Sequence, residues 1–122
     1  MKLINDLLKV LETSVTEAGF ITKIKLNPNN IIYTGHFPGH PVTPGVIQMQ
    51  IIHELIENHF CKNVRLIKMP KCKFLKILNP IETSQIDVHI ESTGTDELLN
   101  IKAWGENRSV IFFRLNAVYQ FI

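Results

Sequence analysis

Apolar and polar positions divide this chain into a series of strands and one long apolar helix. Leu3, Ile4, Leu7, Leu8 and Leu11 recur at helical spacing among Lys, Asp and Glu, which predicts a short amphipathic helix within residues 1–18, ending near Gly19. Phe20 to Leu26 alternates as a strand, Asn27-Pro28-Asn29-Asn30 reads as a turn, and Ile31 to Thr34 reads as a returning strand. From Pro44 to Phe60 the chain is apolar over most of a helical circumference, with Gln50, His53, Glu54 and Glu57 on one polar stripe. Gln48 falls among its apolar positions, either as a core amide satisfied by backbone or as a substrate contact. Residues 62–79 alternate basic with apolar residues. Gln85 to Glu91, Leu98 to Trp104 and Ser109 to Phe121 complete the strands, with turns at 92–97 and 105–108. Five or six mostly antiparallel strands with one buried helix after the first hairpin make an α+β domain.

The segment before the long helix carries the candidate chemistry. Residues 35–45 hold three prolines and three glycines, which exclude a regular helix or a central strand there. Pro44 suits a first helical turn and Thr43 an N-cap. The N–H groups of Gly45 and Val46 then point out of the helix start, where the dipole adds partial positive charge. Such an end holds an anion or a polarised carbonyl oxygen. Gly45 lets a ligand approach its backbone closely. His36 on the same loop takes a proton near neutral pH. An imidazole beside carbonyl-binding amides suits proton removal next to a thioester or ketone.

The run His36-Phe37-Pro38-Gly39-His40-Pro41-Val42-Thr43-Pro44-Gly45-Val46 resembles the signature loop of the hot-dog-fold 3-hydroxyacyl-acyl-carrier-protein dehydratases. Lys71 to Glu82 resembles that family's basic strand leading into a Pro turn. The resemblance implies one hot-dog domain over residues 1–122, its sheet wrapped around the central helix. It implies elimination of water from a 3-hydroxyacyl thioester, in fatty-acid or related polyene or pigment synthesis. His36 is then the catalytic base. Gly45, Val46 and Phe37 line the oxyanion and substrate site. The family's helix carboxylate, fourteen places after the histidine, is Gln50 here. The family's usual Glu-then-Gln pair, one helical turn apart, reads here as Gln50 then Glu54, so Gln50 takes the second catalytic place and Glu54 a supporting one. A Gln amide orients a hydroxyl or water but does not donate a full proton. The helix residue comes from a neighbouring subunit in that family, which implies a homodimer or higher oligomer. The substrate is carried by an acyl carrier protein or by CoA, and no cofactor is implied. Two other readings share the fold. One is a non-catalytic acyl-thioester-binding partner subunit. The other is a thioesterase, which generally needs a water-activating carboxylate near the helix start that this loop lacks.

Composition adds bounds. The 122 residues fit one domain, and 45% hydrophobic residues suffice for a modest core. A net charge of +2 gives no argument for nucleic acid. Of the 13 basic residues, six fall between Lys62 and Lys76, with no acid between Glu57 and Glu82. Arg65, Lys68, Lys71, Lys73 and Lys76 form a candidate dock for an acidic carrier protein, or a solvated edge-protecting face. Cys61 and Cys72 form no metal pattern and read as reduced thiols. His36 and His40 are separated by prolines and have no third ligand at matching spacing, so no metal is expected. No leader and no run of the roughly 20 apolar residues of a membrane span is seen, and a cytoplasmic protein is expected.

Overall fold

The computed structural model describes residues 2–34, 39–95 and 97–122. In chain order the elements are β1 (Leu8–Val15), β2 (Gly19–Leu26), a 3₁₀ turn (Ile31–Tyr33), α1 (Gly45–Phe60), β3 (Val64–Phe74), β4 (Gln85–Gly94), β5 (Leu98–Asn107) and β6 (Val110–Phe121). The strands form one six-stranded sheet in the order β1-β2-β4-β5-β6-β3, every neighbouring pair antiparallel. β1 and β3 are its two edges. This is the α+β hot-dog arrangement expected from the sequence: one sheet curved around one long helix.

Alternation explains the core. Ile86, Val88 and Ile90 of β4, Leu99, Ile101 and Ala103 of β5, and Phe113, Leu115, Ala117 and Tyr119 of β6 face inward and are buried. They meet Ile47, Ile51, Ile52, Leu55 and Ile56 of α1. The period of two on the sheet and the wide apolar stripe on the helix thus enclose one core.

Two sequence expectations fail locally. The N-terminal helix does not form: residues 3–8 make a tight turn and the chain runs on as β1. The Leu3 carbonyl accepts from Asp6 N (3.0 Å), Leu7 N (2.8 Å) and Leu8 N (3.2 Å), and Asn5 has φ 72°, a left-handed geometry that breaks a helix. The leucine spacing comes from a buried turn (Leu3, Leu7) abutting an edge strand that begins at Leu8. The returning strand at 31–34 is instead the 3₁₀ turn. Asn30 caps it, its side-chain oxygen accepting from Ile32 N at 2.9 Å. β2 therefore has no hairpin partner there and pairs with β1 and β4.

The β5–β6 connection has Arg108 (φ 48°) and Ser109 (φ 69°) as a two-residue turn with both central residues left-handed. β5 runs to Asn107, beyond the strand end expected at Trp104, and β4 reaches Gly94 rather than Glu91.

Candidate active site

The site is built around the start of α1. The helix begins at Gly45, and Pro44 occupies the cap position with φ −59° and ψ 148°. The Pro44 carbonyl accepts from Ile47 N (3.0 Å) and Gln48 N (3.1 Å). The expected Thr43 cap is not made. Its hydroxyl turns inward and shares a hydrogen bond with the Tyr33 hydroxyl at 2.9 Å, both residues buried. Thr43 N donates to Leu78 O (2.8 Å), and Thr43 O accepts from Gln48 Nε2 (2.9 Å). Thr43 is thus pinned on three sides, and the segment that enters the helix is fixed with it. Gly45 N and Val46 N have no acceptor among the described residues. The helix start thus rests on a buried network and not on a side-chain cap.

A cavity of about 330 Å³ adjoins these amides, walled by Val42, Gly45, Gln48, Phe74, Leu75 and Ile77 among others. The Phe74 ring lies against the Gly45 backbone: a Cβ added at Gly45 would sit 2.7 Å from it. A second recess of about 590 Å³, lined by His40, Val42, Lys76, Ile77, Asn79 and Glu82, shares Val42, Lys76 and Ile77 with the first. Together they run from the helix start to the surface. Lys76 borders both recesses, and their walls are otherwise largely apolar.

Gln48 is buried, and its Nε2 is satisfied by backbone as one sequence reading had it. Its Oε1 has no hydrogen-bond partner among the described residues. Gln50 is half-buried and does not line the cavity beside Gly45; five residues of helix turn it well away from that amide. Its Nε2 donates to Glu54 Oε2 at 3.1 Å. Glu54 is only 7% exposed, and its Oε1 accepts from Leu3 N (2.7 Å) and Ile4 N (3.1 Å). Its carboxylate therefore ties the N-terminal turn to the helix and orients the Gln50 amide. His36 and Phe37 lie outside the described residues.

By the β3–β6 register, Arg65, Lys68, Lys71 and Lys73 stand on the outer face of the sheet, opposite Gln120, Val118, Asn116 and Arg114. Arg65 Nη2 donates to Gln120 Oε1 at 2.6 Å, and Lys68 is exposed beside the β3 irregularity. Lys76 alone borders the helix-start cavities. Of the remaining histidines, His59 stacks on Phe20 with centroids 3.8 Å apart, and burial lowers its pKa. His89 stacks on Trp104 and meets Glu106 at 3.0 Å. Among the described residues no cluster of His, Cys, Asp and Glu is suited to a metal ion, and no helix is long and apolar enough to cross a membrane.

Tyr33 and Phe74 were not singled out from sequence. Tyr33 follows Asn30 in a segment with no regular period. Phe74 lies in the basic strand, where lysines dominate the pattern. Only its spacing from Cys72, on the inward side of β3, carries a signal.

Comparison with known proteins agrees with this geometry. Residues 12–109 match the ApeI-like family, described as ApeI dehydratase. The chain is 34% identical over 74 residues to the 3-hydroxyacyl-acyl-carrier-protein dehydratase FabZ of Wolbachia pipientis wMel, covering 52% of this chain and 50% of that protein. It is 30% identical over 102 residues to the FabZ of Rickettsia bellii (strain OSU 85-389), covering 76% and 66%. The chain thus spans about half to two thirds of the length of these relatives. Among solved structures, the dehydratase heterocomplex ApeI:P from Xenorhabdus doucetiae superposes with a TM-score of 0.68 at 17% identity, over 92% of this chain and 98% of that one. An uncharacterized protein from Erwinia carotovora subsp. atroseptica superposes with a TM-score of 0.65 at 14% identity, over 92% of each. These two likenesses speak for the fold, and the sequence match for kinship: the chain belongs to the ApeI-like dehydratase family, a divergent, FabZ-like branch of the hot-dog dehydratases.

Proposed function

We propose that the protein eliminates water from a 3-hydroxyacyl thioester to give the trans-2-enoyl thioester. The observation that carries this reading is the pair of amides, Gly45 N and Val46 N, that find no acceptor among the described residues and adjoin a largely apolar cavity at the start of α1. The thioester oxygen sits at these amides. The His36 imidazole takes the C2 proton, and enolate charge grows on the oxygen where the amides and the helix dipole stabilise it. The C3–O bond then breaks, and the proton held by His36 passes to the departing hydroxide, so water leaves and the base is regenerated. Phe37 lines the acyl path.

Gln50 holds the C3 hydroxyl. Gln50 is turned away from its own Gly45, which supports a homodimer in which a second copy supplies this residue. Support comes from exposed apolar side chains near the helix start and along edge strand β3, namely Val46, Ile67, Phe74, Leu75 and Ile77. Lys76 meets the phosphate of a pantetheine arm entering by the outer recess. The acid surface of the carrier docks along Arg65 and Lys68 beyond it. The FabZ relatives are named for carrier-bound substrates, which favours a carrier over CoA. A cytoplasmic place in fatty-acid, polyene or pigment synthesis fits this chemistry.

The test is turnover of 3-hydroxyacyl thioesters on an acyl carrier protein, with alkyl and aryl chains. Wild type is expected to form the enoyl product, and His36→Ala to lose about 10²–10⁴-fold. No turnover by wild type on any chain overturns the reading. The second reading is a non-catalytic partner subunit. Gln50 is bonded to Glu54, and neither member of that pair is arranged to donate a full proton to a leaving group. The Xenorhabdus structure is described as a heterocomplex, which makes hetero-assembly the natural second test. Activity appearing only on addition of another dehydratase subunit decides for that reading.

A further inference from the structure

The outer face of the sheet, on the opposite side from α1, gathers cations with no role in the chemistry above. Two cross-strand rows define it. In one, Lys73 of β3 stands opposite Arg114 of β6, Arg114 opposite Trp104 of β5, and Trp104 opposite His89 of β4. In the other, Lys71 stands opposite Asn116, Asn116 opposite Lys102, and Lys102 opposite Glu91. Directly opposed residues share a face, so Lys71, Lys73, Lys102 and Arg114 surround Trp104 and Asn116. Lys73 against Arg114 is a like-charge pair, which costs stability unless an anion offsets it. None of the four cations has an ion-pair partner among the described residues. Of the nearest acids, Glu106 is held by His89 at 3.0 Å, and Glu91 stands directly opposite Lys102 on β4 without lining the cavity.

This surface is concave. A cavity of about 380 Å³ is lined by Lys71, Lys102, Trp104, Ile111, Arg114 and Asn116, with no carboxylate in its lining. That volume lies in the range of small-molecule sites, roughly 300–1,000 Å³. The indole is held rigidly: His89 stacks on it at 4.6 Å with planes 9° apart, and Lys102 Nζ lies 5.9 Å from its centre. A rigid aromatic wall, an amide and a semicircle of unneutralised cations suit a ligand that combines negative charge with a planar ring.

We propose that this outer-face cavity binds a nucleoside polyphosphate, the phosphates held by Arg114, Lys71 and Lys102 and the base set against Trp104. Arg114 offers the forked donors that match phosphate oxygens, and the lysines supply compact charge. Asn116 has both a donor and an acceptor for the base or sugar. The site is independent of the dehydratase reading: it lies across the sheet from the helix start and shares no residue with those cavities.

Trp104 is the chain's one tryptophan, so its fluorescence reports this cavity alone. Titrating the full chain with ADP is expected to give a saturable emission change that weakens as salt is raised. Arg114→Ala and Lys71→Ala should each weaken it by about tenfold or more, the loss of one charge-assisted contact. Adenosine should bind far more weakly than ADP, and pyrophosphate more weakly than ADP. Thermal shift gives the second readout: ADP should raise the melting midpoint of wild type and not of Arg114→Ala. The absence of a saturable change with ADP, or a change indifferent to Arg114→Ala, overturns the site. Pyrophosphate binding as tightly as ADP overturns the role given to Trp104.

Discussion

Gln50 donates its side-chain N–H to the Glu54 carboxylate at 3.1 Å, one helical turn along α1. The same carboxylate accepts two backbone N–H groups from Leu3 and Ile4. Glu54 is an acceptor in all three contacts, which fixes which end of the Gln50 amide faces it and leaves the amide oxygen turned elsewhere. Gln50→Glu alone would set two acceptors against each other. It is expected to cost about 1–3 kcal/mol of stability in denaturant unfolding. Adding Glu54→Gln restores one donor and one acceptor and should recover part of that loss. If the native site lacks an acid, the double variant should exceed wild-type turnover, by up to about 10²-fold. Turnover no greater than wild type would show that a proton donor at position 50 does not limit the reaction.

Gly45 and Phe74 form the next pair. A methyl group at position 45 would lie 2.7 Å from the Phe74 ring, closer than real contacts allow. Gly45→Ala is therefore expected to lose about 1–3 kcal/mol, or to swing the ring out over the cavity. Phe74→Leu makes room, so the double variant should be more stable than the sum of the singles predicts, by about 0.5–3 kcal/mol. Additive losses in thermal or denaturant unfolding would show that the ring is not what forbids a side chain there.

Both tyrosines are buried and should stay protonated well into alkali. Burial pushes Tyr33 up, partly countered by its hydrogen bond to Thr43, and pushes Tyr119 up to about 12 with help from nearby Cys72. The folded values lie above the unfolded one near 10. Their contribution to stability is complete below about pH 10 and is lost as pH rises from there toward 12. Absorbance at the tyrosinate band should therefore stay flat near pH 10 in the native protein and rise together with loss of the circular dichroism signal. A tyrosinate rise near pH 10 in a folded sample would contradict the burial.

Cys61 ends α1 with φ 54° and ψ 37°, a left-handed geometry that favours glycine. Its thiol makes only a long contact of 3.7 Å to Asn58 O. Cys61→Gly is expected to raise stability by about 0.5–1 kcal/mol, readable as a higher melting midpoint. A lower midpoint would mean that the thiol contributes more than its contacts suggest.

The long helix was legible in the sequence because its apolar positions are continuous and its entry is marked by proline and glycine. The inner face of β4 was legible because Ile86, Val88 and Ile90 alternate with polar residues without interruption. The N-terminal segment was not, because two structures abut. Leu3 and Leu7 belong to a turn and Leu8 to a strand, and their joint spacing imitates a helix. The 3₁₀ turn at Ile31 was hidden because its cause is a side chain, Asn30, competing for the backbone. At the site, Gly45 and Val46 were readable from local chemistry. The inward turn of Thr43 was not, because Tyr33 and Leu78, which hold it, are remote in sequence. The gathering of Arg65, Lys68, Lys71 and Lys73 on one face likewise depends on the β3–β6 register and its bulges, which no local pattern encodes.

The placement of β3 has a bearing on how the protein is made. Among the described residues its only strand neighbour is β6, so the ladder of Val64–Phe74 begins to find partners at Phe113 and is complete only at Phe121. During synthesis the lysines that punctuate this strand keep it from joining other nascent chains, and its pairing with β6 becomes the late, long-range step that closes the molecule.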